Sequence, residues 1–253
     1  MKVGLISYQV GHLKTKQLAD LLLKKGYEVV IFAFPFYKKN KNDSVEHSCR
    51  IEDRPSQLLN KKWEEIYTDN SLSIIYLESW GDDCIKYLNQ SPIFVYLHCV
   101  AKILPKNMLM NRLVLNCHPG LLPQNRGVDS LKWSIVNIWP IGITLHAINE
   151  KIDSGLILVR KRLTIYATDT LRDVFERAYH EEVSLLSEFE RYLGNISQGY
   201  VVDDSYLVSH TRVSAKIDQG LDSYFMENIE KYVEISTDLK FHPHPLELIA
   251  KKA

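Results

Sequence analysis

A chain of 253 residues with 45% apolar side chains is long enough to bury one full-sized domain core with a small appendage, so disorder is not the default. Lysine plus arginine and aspartate plus glutamate both number 31, so the formal net charge is zero. No global field draws the protein to nucleic acid or an anionic membrane, and any polyanion it handles must be met locally.

The opening MKVGLISYQVGHLKTKQ lacks the longer apolar core and small-residue cleavage site of a secretory signal. No run approaches the ~18 apolar residues of a membrane span, so cytoplasmic residence is the expectation. Val3 to Ser7 form a short apolar run, Leu18, Leu21 and Leu22 recur at helical spacing, and Gly26 precedes EVVIFAF from Glu28. Strand, helix and strand in that order predict a βαβ unit. KKNKNDS, after Tyr37, reads as a solvated loop, with anion binding as the alternative.

SIIYL (73–77), IFVYLH (93–98) and LVLNCH (113–118) are β-branched or aromatic runs that predict buried strands. DSLKWSIVNI from Asp129 predicts a short helix ended by Pro140. IGITLHAI (141–148) and GLILVRKRLTI (155–165) predict a hairpin-like pair of strands. Thr170 and Asp173 form a capping-box pair at the head of a long helix running to about Leu193. Beyond Gly199 the pattern weakens, with one last helix around Phe225 to Val233. The expected fold is α/β, a Rossmann-like, mostly parallel sheet with flanking helices over residues 1–200, and a small C-terminal appendage over 201–253. The four cysteines show no CxxC pair and read as buried reduced thiols. FHPHP near the C-terminus lacks cysteine or acidic partners at ligand spacing, so no metal is expected.

Chemically useful side chains concentrate in LNCHPGLLPQNRG, residues 115–127, where a buried strand passes into a loop. Ligands gather at such carboxyl ends in open α/β sheets. Asn116 and His118 are two apart and face one side of an extended strand. Pro119 and Pro123 stiffen the loop, while Gly120 and Gly127 permit close backbone approach. Asp153 stands in the turn between the two later strands, before Gly155. From spacing alone, a capped strand end, a satisfied histidine and a turn aspartate are the favoured explanation of these residues.

NCHPGLLPxxRG, followed by a tryptophan in a helix and then by GITLHAINEKIDSG, resembles the folate-dependent formyltransferases. That family includes the glycinamide ribonucleotide and methionyl-tRNA enzymes and the nucleotide-sugar N-formyltransferases. The likeness is closest from about Ala101 to Thr164 and takes in AKILP (101–105). It implies that Asn116, His118 and Asp153 are the catalytic residues and that 10-formyltetrahydrofolate is the donor. The pterin would lie against main-chain atoms of Lys102, Ile103 and Leu104 and of Ile148, Asn149 and Glu150. Gln124, Asn125, Arg126 and Gly127 are the candidates for acceptor contact, with Asp129 weaker. For Arg126 a structural salt bridge is the alternative, and His146 either orients Asp153 or is a structural histidine.

Formyl transfer needs a neutral amine, support for an oxyanion and a route for a proton. The Asn116 amide is a fixed donor suited to the oxyanion. His118 suits either proton acceptance or hydrogen-bond donation at neutral pH, and Asp153 would stabilise the imidazolium and move protons. The tRNA-directed members carry a substantial extra domain, so a nucleic-acid acceptor is disfavoured. Glycinamide ribonucleotide enzymes hold phosphate on a glycine-rich loop after the first strand, where this chain has SYQVGHLKTKQ with Gly11 alone. The resemblance then leaves a nucleotide-linked amino sugar for surface polysaccharide. The alternatives are glycinamide ribonucleotide transfer, formyltetrahydrofolate hydrolysis and a non-catalytic folate binder. The tail containing SHTRVSAKID (209–218) is open to two readings, an extension of a homodimer interface or a cap on the sheet.

Overall fold

The computed structural model describes residues 1–36, 55–197, 199–201 and 209–238. The KKNKNDS loop, Cys49 and FHPHP lie outside the described residues. The chain divides into two compact units, one holding residues 1–36, 56–116 and 147–150, the other residues 117–146 and the described part of 151–238.

The first unit is built on parallel strands. β1 (Lys2–Tyr8), β3 (Glu28–Phe34), β5 (Ser73–Tyr76), β6 (Val95–His98) and β7 (Leu113–His118) neighbour one another in the order β7-β6-β1-β3-β5, each pair parallel. Their near-continuous apolar text suits strands covered on both faces. α1 (Leu13–Lys24) buries Leu18, Ala19 and Leu22, and Gly26, at φ +80°, turns the chain into β3 while Tyr27 N–H donates to the Leu22 carbonyl (3.1 Å). A left-handed turn of that kind is where glycine is cheapest. Ile6, Phe32, Phe34, Tyr96, Val100, Leu104 and Val114 share one core cluster, with Trp80 and Ile148 packed on its edge. Each large side chain so buried contributes about 2 kcal/mol.

Several short elements have no counterpart in the sequence reading. β2 (Val10–His12) pairs antiparallel with β4 (Leu58–Lys62), matching Val10 with Lys62 and His12 with Leu58. The turn after the first strand is therefore a strand itself, with α2 (Trp63–Ile66) following β4. The same unit holds α3 (Ile85–Gln90) and α4 (Lys106–Leu109).

β7 runs out of the first unit at Asn116, and its last two residues open the second. There β8 (Gly142–Ala147), β9 (Leu156–Arg162) and β10 (Tyr200–Val201) are neighbours in chain order, β10 antiparallel to β9. α5 (Ser130–Val136), α6 (Leu171–Ser187), α7 (Ala215–Glu227) and α8 (Ile229–Thr237) pack together through Leu131, Ile135, Val174, Phe175, Leu221, Phe225 and Tyr232. The central sheet is mostly parallel with flanking helices, as the strand text implies.

The capping box at α6 forms as read, Asp173 N–H donating to Thr170 Oγ1 (3.2 Å) and Thr170 N–H to Asp173 Oδ2 (2.8 Å). Two helix boundaries differ from the reading. α6 stops at Ser187 and passes into 3-10 turns over Phe189–Ser197. The last helix is two helices, because the Asn228 side chain donates to the Tyr224 carbonyl (2.9 Å) and its own carbonyl starts α8 by accepting from Lys231 N–H (3.0 Å). An asparagine that satisfies local backbone groups competes with helix continuation. Leu221, Phe225 and Tyr232 of this tail are buried within their own unit. Cys84, Cys99 and Cys117 are buried free thiols. Among the described residues no helix is long and apolar enough to cross a membrane.

Candidate active site

His118 ends β7 with both ring nitrogens engaged. Nε2 lies 2.7 Å from the main-chain carbonyl of Asn125, and Nδ1 lies 3.4 Å from Asp153 Oδ2, the side chains 5% and 16% exposed. A carbonyl only accepts, so Nε2 carries the hydrogen of that bond. Histidine and aspartate, 35 residues apart in the text, thus form one acid–base pair.

Asp153 sits at φ +45°, a left-handed conformation that aspartate tolerates better than most residues and that functional turns retain. Its Oδ2 also accepts from Gly127 N–H at 3.0 Å, and its Oδ1 lies 3.8 Å from His146 Nε2 on β8. Burial pushes the Asp153 carboxyl up, but His118, His146, the Gly127 N–H and the Arg126 guanidinium outweigh it and hold it below the usual carboxylate range. The anion is the resting form of this group.

The motif loop is braced from within. Ser130 Oγ donates to the Pro119 carbonyl (2.7 Å), Thr144 Oγ1 donates to the Gly120 carbonyl (2.6 Å), and Leu122 N–H donates to Thr144 Oγ1 (3.0 Å). Asn125 is buried and its amide donates to the Ser130 carbonyl and to Ser134 Oγ (2.7 Å). Arg126 is buried as well, with Nε and Nη2 both donating to the Ile152 carbonyl at 2.9 and 2.5 Å. Arg126 therefore clamps the residue before Asp153 through its carbonyl. Of the loop residues expected to meet an acceptor, Gln124 is exposed, Asn125 and Arg126 turn inward, and Gly127 gives its amide to Asp153.

Asn116 precedes His118 by two positions on β7 and is half-buried. In the first unit, the two segments expected to flank a pterin are joined by an ion pair from Lys106 Nζ to Glu150 Oε2 (2.9 Å). Leu104 is buried in the core cluster on which Ile148 packs, and Ile148 N–H donates to the Val114 carbonyl (2.8 Å). Ile103 is 62% exposed and Lys102 Nζ lies over the Trp80 ring, 5.9 Å from its centroid. Among the described residues no group of histidine, cysteine, aspartate and glutamate is placed to hold a metal ion.

The sequence reading missed what Gln57 and His210 do. Gln57 accepts at the head of α1 with its main-chain oxygen from Leu13 N–H (2.8 Å) and with Oε1 from Lys14 N–H (3.3 Å). His210 pairs with Gly127 as an isolated parallel bridge. Neither contact leaves a periodic or compositional trace.

Residues 82–189 match the family model described as formyl transferase. Over 75 residues the chain is 36% identical to GDP-perosamine N-formyltransferase of Brucella melitensis biotype 1, covering 29% of this chain and 29% of the relative. Over 100 residues it is 34% identical to methionyl-tRNA formyltransferase of Thermodesulfovibrio yellowstonii, covering 38% of this chain and 32% of the relative. The matched stretch thus spans about a third of these relatives' length. In fold, the chain is similar to the N-formyltransferase from Helicobacter canadensis solved with folinic acid and dTDP-3-aminofucose, with TM-score 0.55, 17% identity and coverage of 90% of this chain and 82% of that one. Residues 82–189, which carry Asn116, His118 and Asp153, are the stretch that matches the formyl transferase model.

Proposed function

We propose that the protein transfers the formyl group of 10-formyltetrahydrofolate to the primary amine of a nucleotide-linked amino sugar, for surface polysaccharide synthesis. The observation that carries the reading is the His118–Asp153 pair, 3.4 Å apart, at the end of the strand that bears Asn116. The amine nitrogen attacks the formyl carbon, the carbonyl oxygen takes the charge, and the bond from carbon to the folate nitrogen breaks. The amine proton ends on that departing nitrogen. The Asn116 amide donates to the oxyanion, where one fixed donor contributes about 3 kcal/mol. Asp153 carries the proton, because it is the more exposed member of a pair whose imidazole has both nitrogens engaged. His118 holds Asp153 ionised until the proton arrives.

For folate, the residues present fit the group. Lys102, Ile103 and Leu104 would face the pterin with Ile148, Asn149 and Glu150, in segments already held together by Lys106 and Glu150. Folate supplies the activated formyl group. Gln124 would contact the acceptor, and Asn125, Arg126 and Gly127 would set the loop that presents it.

The acceptor class is supported by the head of α1. The first two amides of that helix already donate to Gln57, and the turn before them is paired with β4. A phosphate cradle at the first strand, as glycinamide ribonucleotide requires of its enzymes, would have to compete with Gln57 for those two amides. The relative acting on a GDP sugar agrees with an acceptor whose charge is a diphosphate. Cytoplasmic residence and pairing into a homodimer belong to the same proposal.

The test is to incubate purified protein with 10-formyltetrahydrofolate and a panel of nucleoside diphosphate amino sugars, glycinamide ribonucleotide and no amine. Folate release and acceptor mass are followed. Formylated sugar nucleotide is the expected product. Turnover of glycinamide ribonucleotide alone would replace the acceptor, and folate release without amine would make the protein a hydrolase.

A further inference from the structure

Residues 209–213 return to the motif loop and lie along it. His210 N–H donates to the Arg126 carbonyl (2.8 Å), and Val128 N–H donates to the His210 carbonyl (3.1 Å). Val213 N–H donates to Asp129 Oδ2 (3.1 Å), and Trp133 Nε1–H donates to the Thr211 carbonyl (2.7 Å). The His210 ring stacks on Trp133 at 5.0 Å and 24° and leans on Trp139 at 5.7 Å. Ring and backbone of one residue thus tie the loop to the helix that follows it.

The loop needs that support. Asp129 holds φ +56°, a left-handed conformation uncommon outside glycine and kept where the surroundings hold it, and Gly127 holds φ +97°, which glycine adopts without strain. A Cβ on Gly127 would stand 2.3 Å from the His210 carbonyl oxygen, so the approach is as close as a backbone allows. The same Gly127 gives its N–H to Asp153, and the adjacent Arg126 side chain holds the Ile152 carbonyl.

We propose that His210 is a positioning residue for Asp153, its ring wedged between Trp133 and Trp139 so that its backbone fixes the Arg126–Gly127 peptide that holds the carboxylate. This rests on the reading of Asp153 as the proton-carrying group. His118 on β7, His146 on β8 and Arg126 on the loop face Asp153, and all three remain when His210 is changed. The segment acts through geometry, with no charge of its own delivered to the carboxylate.

The experiment compares His210→Ala and His210→Phe with the wild type, reading the Asp153 carboxyl titration by carbon NMR alongside kcat and KM. Loss of the fixed Gly127 donor should raise the Asp153 midpoint by about one unit in His210→Ala. We expect kcat to fall about tenfold while KM for the folate donor changes less than about twofold. Phenylalanine keeps the ring between the tryptophans and restores both readouts. Should His210→Ala not fold, Trp139→Ala loosens the ring while leaving the Trp133–Thr211 bond, and carries the same expectation. An Asp153 midpoint unmoved in a folded variant overturns the proposal and leaves the segment a structural cap, as does failure of phenylalanine to restore it. A wild type that formylates no amine sinks the proposed function instead, since the Asp153 titration is read without turnover.

Discussion

His118 Nδ1 lies 3.4 Å from Asp153 Oδ2, while the opposite edge of the ring is held by the Asn125 carbonyl. That imidazole is fixed at both ends, so its orientation towards the carboxylate does not depend on a bound substrate. The arrangement makes the roles of the two side chains separable by substitution.

His118→Asn should fold and lose most turnover, by about a hundredfold or more in kcat, as expected for a residue of an acid–base pair. A thermal melt close to wild type with near wild-type kcat would show that the ring has no part in the chemistry.

Asn116→Asp puts a carboxylate where the oxyanion would form. A loss in kcat of about two orders of magnitude is expected, since removing one donor already costs about 3 kcal/mol. Steady-state kinetics with saturating folate reads it directly.

Asp153→Asn separates charge from shape. In the folded protein this carboxyl sits below the usual carboxylate range, so it contributes stability above about pH 4 and loses it as pH falls through the folded value. The variant should therefore be less stable than wild type at neutral pH, with the gap closing below about pH 4. Urea titrations across pH 3 to 7 measure this, and a gap independent of pH would contradict the ion-pair account.

Lys132 and Asp218 form an ion pair of 2.9 Å, with the Asp218 side chain wholly buried. Lys132→Met alone strands that carboxylate and should cost about 3–5 kcal/mol, whereas Lys132→Met with Asp218→Leu should lie near wild type. Denaturant unfolding of the single and double variants decides it.

Gly127→Ala is expected to destabilise by at least about 1–3 kcal/mol from its positive φ alone. The collision with His210 adds to this, and turnover should fall with it because the Asp153 donor moves. Wild-type stability would mean that residues 209–213 are easily displaced from the loop.

The sequence by itself determined the long strands and helices of the fold. Val3–Ser7, SIIYL and LVLNCH read as strands because a sheet buried on both faces demands apolar runs. The Leu18 and Leu22 spacing read as a helix because burial on one face repeats with the helical period. Asn116, His118 and Asp153 stood out through the resemblance to the formyltransferases, since their spacing alone fits a capped strand end and a turn as well. Tertiary structure decided what those residues touch. That both His118 nitrogens face oxygen, that Arg126 turns inward to Ile152, that Gln57 fills the head of α1 and that His210 returns to Gly127 all follow from contacts between stretches far apart in the chain. Most of these contacts are made to main-chain atoms, which every residue carries alike, so the text of the sequence holds no mark of them.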